Sequence, residues 1–146
     1  MTVELYPYAA ADPIELLITW LEPLGRTSTQ RPNGAPLPFR TVRRIGGGAG
    51  NDGLTDHPLV AIHTIAATEE DATAEGELTD RAVRELAPPW GEHPPVTMST
   101  ATVYVDDLTG EDQHVVLWAG ASHDDPNAEW ASVGVYQLAL RIQHTA

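Results

Sequence analysis

The chain has no cysteine and no lysine, one Phe and two Met in 146 residues. Absence of Cys excludes disulfides, thiol catalysis and cysteine-ligated metal. Absence of Lys excludes a Walker-type phosphate loop, although Gly46 to Gly53 is rich in glycine. No apolar run is long enough to cross a bilayer. Met1 to Ala11 carries Glu4 and no basic residue, which is not the pattern of a signal peptide. Histidine is present six times, but without an H-E-x-x-H pair, and Asp106-Asp107-Leu108 puts Leu where a calcium loop needs oxygen. His63 and His114 fall within expected strands and read as sheet or core residues. Ser99, Ser122 and Ser132 lack a G-x-S-x-G setting. The expectation is therefore no enzyme, no cofactor and no metal.

What is present is a folded composition: 42% hydrophobic, with four Trp and four Tyr. The length fits a single domain spanning 1–146. The net charge of -13 disfavours binding to DNA phosphate or to an anionic membrane. That charge is uneven: residues 1–50 hold five Arg against four acids, and residues 51–146 hold three Arg against seventeen. A basic surface and an acidic one on the same chain are suited to self-association. The group Arg26, Arg31, Arg40, Arg43 and Arg44 is the expected subunit interface, because Arg forks match carboxylates across a contact. Of these, Arg40, Arg43 and Arg44 are the expected ion-pair donors.

Asp12-Pro13-Ile14-Glu15 is a helix start: a capping Asp, Pro at the first position and an acid in the first turn. Ile14, Leu17, Ile18 and Leu21 supply its apolar stripe, and Pro23 and Gly25 end it. A loop with a short strand near Ser28 to Arg31 follows. Pro38 to Ile45 reads as a strand with Phe39, Thr41, Arg43 and Ile45 on one side. Its poor alternation suits an edge or a partner-facing strand. Gly46, Gly47, Gly48, Gly50, Asn51, Asp52 and Gly53 read as a flexible loop.

Leu59 to Ala67 is an apolar run expected to be a central strand buried on both faces. Thr68 caps a second helix running to about Leu86, with Ala72, Gly76, Thr79, Ala82, Val83 and Leu86 inward. After a Pro-rich connection, Met98 to Val105 and His114 to Ala119 read as a hairpin around an Asp106 to Asp112 turn. The last strand spans about Trp130 to Gln143, with Leu138, Leu140 and Ile142 inward. The fold class is α+β: two helices on one face of a mostly antiparallel sheet, in the order α-β-β-α-β-β-β.

Four segments in this order carry a resemblance: Leu21-Glu22-Pro23-Leu24-Gly25, Val42-Arg43-Arg44-Ile45-Gly46-Gly47, Asp56-His57-Pro58-Leu59-Val60 and Glu69-Glu70-Asp71-Ala72. In order and spacing the chain resembles the tail terminator, or tail-completion, proteins of siphophages, especially those infecting actinobacteria. The resemblance implies a subunit of a six-membered ring in the virion, made in the bacterial host cytoplasm. Such a ring caps the tail tube, ends its polymerisation and meets the head-closure connector. DNA passes through without specific binding, no membrane is involved, and the family has no catalytic residues to transfer. On that view the Gly46 to Asp56 segment, with Asp56 itself, reaches the tube or the lumen. The alternatives are another head–tail connector, neck or minor tail subunit, or an acidic small-molecule-binding domain.

Overall fold

The computed structural model describes residues 8–9, 12–32, 34–49, 55–87, 96–97, 102–103, 105–110, 113–118, 124–141 and 143–144. The elements are β1 (Tyr8–Ala9), α1 (Pro13–Leu21) with a 3-10 turn at Glu22–Leu24, β2 (Arg26–Ser28), β3 (Phe39–Ala49), β4 (Thr55–Ala66) and α2 (Glu69–Arg84). After these come β5 (Val96–Thr97), β6 (Thr102–Val103), β7 (Val105–Gly110), β8 (His114–Leu117), β9 (Trp130–Arg141) and β10 (Gln143–His144). The fold is α+β, with both helices on one face of a six-stranded sheet. Strand order is β2-β3-β4-β9-β7, and β8 also pairs with β9. Every pair in this sheet is antiparallel except β2 with β3. β1 pairs with β10, and β5 with β6, as two separate short ladders.

Local chemistry sets both helix starts. The Asp12 carboxylate accepts the Ile14 amide at 2.9 Å, and Pro13 occupies a position whose N–H would have no partner. The Thr68 hydroxyl accepts the Asp71 amide at 3.1 Å, and Glu69, Glu70 and Asp71 complement the positive end of the helix dipole. In α1 the fully buried residues are Leu16, Leu17 and Leu21, while Ile14 is only partly buried against the core. In α2 the inward residues are as expected as far as Arg84: Ala72, Gly76, Thr79 and Val83 are buried, and Ala82 packs partly against the core; Leu86 is buried too but lies just past the helix end. The helices join where the Trp20 indole N–H donates to the Ala82 carbonyl at 2.6 Å. A Cβ on Gly76 would collide with the Ser132 side chain of β9, so glycine here allows close helix-on-sheet contact.

β4 is central, flanked by β3 and β9 along almost its whole length. Val60, Ile62 and Ile65 are fully buried, which accounts for the unbroken apolar run.

Three expectations need correction. Gly46, Gly47 and Gly48 are not loop residues: they extend β3 and pair with Leu59, Pro58 and His57. Gly50, Asn51, Asp52 and Gly53 lie outside the described residues. Glycine signalled a loop, but at Gly47 it permits a φ of +87° and a close ladder, because a Cβ there would meet the His57 carbonyl. Second, Asp106 to Gly110 is not a turn. β7 and β8 run one after the other along the same edge of β9, from Val105 opposite Leu140 to Leu117 opposite Trp130. The exposed Asp107 is tolerated on an edge strand, where charge also blocks further pairing. Third, the short strand lies at Arg26–Ser28, ahead of the expected Ser28 to Arg31.

Candidate interaction face

The two faces of the sheet differ. Alternation along β3, β4 and β9 places Val42, Val60, Ile62, Tyr136, Leu138 and Leu140 under the helices. It places Phe39, Thr41, Ile65 and Ala131 on the opposite face, where they are buried, followed along the strands by Arg43, Ala61, His63, Val133 and Val135, of which Arg43 is exposed and His63, Val133 and Val135 are half-buried.

Among the described residues, the buried polar side chains on the helix side have hydrogen-bond partners. Arg40 has no exposed surface, so the expectation that it serves a neighbouring subunit is corrected. Its Nε donates to the Thr79 hydroxyl at 2.8 Å, and Nη2 pairs with the Glu75 carboxylate at 2.8 Å. Thr79 also meets Thr64 of β4 at 2.9 Å. A buried guanidinium needs such a shell, since an unpaired one would cost several kcal/mol. Nearby, the Tyr136 hydroxyl donates to Asp80 at 2.7 Å, and Asp80 pairs with Arg84. Burial first, then the Asp80 carboxylate, push the Tyr136 phenol well above its ordinary range. That makes it a weaker acid, the reverse of an activated catalytic tyrosine.

The remaining expected interface arginines divide. Arg31 pairs with Glu129 and donates to the Ala35 carbonyl. Arg44 spans to Asp56, with both terminal nitrogens at 3.4 Å from its oxygens. Asp56 is thus a nearly buried strand residue, not part of a lumen-facing loop. The Arg44-Ile45-Gly46-Gly47 and Asp56-His57-Pro58 segments lie opposite one another on the β3–β4 hairpin. The ion pair and Gly47 together give those residue types a structural reason. Arg26 and Arg43 are exposed, and no ion pair joins either to another described residue.

Arg43 lies opposite Ala61 of β4, which lies opposite Val135 of β9. The neighbouring row on the same face runs from Thr41 to His63 of β4, Val133 of β9 and His114 of β8. His63 is half-buried and packs on Trp118 with ring centres 5.2 Å apart. Burial, then the charges of Arg43 and His114, lower its pKa, so it is neutral at pH 7. His114 is a sheet residue, at the start of β8, and is exposed rather than in the core. A cavity of about 470 Å³ opens beside this group, lined by Thr29 to Pro32, Thr41, Arg43, His63, Trp118 and Glu129. The Arg31 Nε is buried against it without a hydrogen-bond partner. Apolar side chains surround the basic centre: Ile45 is 50% exposed and Val116 38%, with Leu59, Val133 and Val135 half-buried.

The sequence matches no protein-family model and no curated protein. Among the described residues no group of three His, Asp or Glu side chains is placed to hold a metal, and no helix is long and apolar enough to cross a membrane.

The sequence reading missed the Arg40–Glu75–Thr79 cluster. Its signal was present: Arg40 shares strand parity with Val42, and Thr79 interrupts the inward stripe of α2. A polar residue on each of two core-facing patterns is what a buried pair requires.

Proposed function

We propose that this chain is a structural subunit that works by contact with copies of itself, as a tail terminator of a siphophage virion. The supporting observation is a sheet face that is only partly covered. The helix side is packed, while the other side is buried at Phe39, Ile65 and Ala131 and presents half-exposed aliphatics around Arg43, on a chain of net charge -13. The four segments that resemble tail terminators point to the particular particle.

On this reading a ring of six subunits caps the tail tube, stops its growth and contacts the head-closure connector. The acidic composition gives a lumen that repels phosphate, so DNA passes without adhering. The acidic small-molecule reading is not favoured by the cavity. Its rim holds Arg31, Arg43 and His63 against Glu129, and Glu129 is already paired. Negative-stain imaging of the purified protein, alone and with tail tubes, tests the proposal. Rings seated at one end of tubes of uniform length are expected. A permanently monomeric protein, or tubes that keep growing in its presence, would contradict it.

A further inference from the structure

We infer that the open sheet face around Arg43 docks the outer face of α2 from a second copy of this chain, head to tail. This shares with the ring reading only the premise of self-association; it names the two surfaces that meet.

Charge complementarity selects the occupant. The exposed side of α2 carries Glu70 and Glu77 flanking Leu78, which is 42% exposed. Spacing of i+4 and i+8 from Glu70 puts Ala74 and Leu78 on one outward stripe, opposite the buried Ala72, Gly76, Thr79 and Val83. Arg81 is the one cation among the exposed residues of this helix. The surface is therefore acidic with an aliphatic centre. The open sheet face is its counterpart, aliphatic around Arg43 and His114.

Symmetry supports the same pairing. If two open faces met across a two-fold axis, the Arg43 groups would be brought into one interface, and like charges facing each other cost affinity. Two α2 faces would oppose Glu70 and Glu77 in the same way. Only the heterologous pairing joins unlike surfaces. Because α2 lies on the opposite side of the sheet from Arg43, each subunit keeps one free surface of each kind, the arrangement that builds rings when the rotation closes.

The test uses the full chain and two variants, Arg43→Glu and the double substitution Glu70→Arg with Glu77→Arg. All three positions are exposed, and unchanged circular dichroism and melting temperature verify folding. Sedimentation velocity is expected to show assembly of the wild type, weakened at high salt, and association at least about tenfold weaker in either variant alone. An equimolar mixture of the two variants is expected to restore assembly with alternating composition, because each reversed surface then meets its complement. Wild-type monomer at every concentration, variants that assemble like wild type, or a mixture that stays dissociated would each overturn the inference. A wild-type ring indifferent to these substitutions leaves the ring reading standing. Open filaments that obey the charge swap sink the ring and keep the pairing.

Discussion

The two faces of the one sheet answer the same backbone pattern in opposite ways. Under the helices, even a charged group is enclosed: Arg40 is fully buried and meets Thr79 and Glu75. On the far face, Arg43 sits three residues along the same strand, exposed and without an ion-pair partner among the described residues. Strand parity puts the two arginines on opposite faces, and position along the strand leaves Arg43 exposed where Phe39 and Thr41 of the same parity are buried. Five single substitutions can break or sharpen that contrast.

The largest effect is expected at the enclosed pair. Glu75→Ala removes the carboxylate that compensates Arg40 and should cost about 3 kcal/mol, at the low end for breaking a buried pair because Glu75 is partly exposed. Replacing Arg40 and Glu75 together by Met should recover most of that loss in urea unfolding. If Glu75→Ala proves neutral, the packed face does not depend on its polar shell.

Next comes Gly76→Ala. Helix propensity alone favours Ala by roughly 1 kcal/mol. The added methyl meets Ser132, and overpacking of about 1–3 kcal/mol should win. Chemical denaturation should show net destabilisation, relieved when Ser132 is replaced by Gly.

Tyr136 and His63 separate the faces by pH. The folded Tyr136 phenol titrates above its ordinary value of 10.0, so it stays neutral where the unfolded chain ionises. Stability from this group is intact below pH 10 and falls as pH rises beyond it, by at most about 1.4 kcal/mol per pH unit. Tyr136→Phe should flatten the alkaline decline in melting temperature. His63 is shifted the other way, below 6.5, so its contribution is present above pH 6.5 and is lost on acidification. Because His63 is only half-buried, the acid limb should be shallower, and His63→Gln should remove it.

The smallest effect is expected at Arg43. Arg43→Ala should change monomer stability by no more than about 0.5 kcal/mol, as for an exposed residue with no local partner. A larger loss in dilute protein would mean that Arg43 belongs to the fold.

Much of the fold is legible in the sequence, though the contrast between Arg40 and Arg43 is not. The Asp12 and Thr68 caps, the α2 stripe and the apolar run of β4 each follow from a local rule, and each lies where that rule puts it. What escaped depended on partners distant in sequence. Gly46 to Gly48 look like a loop until Leu59, Pro58 and His57 pair with them. Asp106 to Gly110 look like a turn until β9 supplies an edge. The five arginines form one cluster in sequence. Tertiary contact divides them, sending Arg40 inward, tying Arg31 and Arg44 to Glu129 and Asp56, and leaving Arg26 and Arg43 exposed.

Hydroxyl-radical footprinting at increasing protein concentration probes both proposed contact surfaces in one experiment. Oxidation of Ile45 and Val116 on the sheet and of Leu78 on α2 should fall together as particles form, while exposed Pro126 in a connecting loop reacts unchanged. Equal reactivity of those three aliphatic side chains in free and assembled protein, or no assembly at any concentration, would contradict the claim that this chain acts through its uncovered sheet.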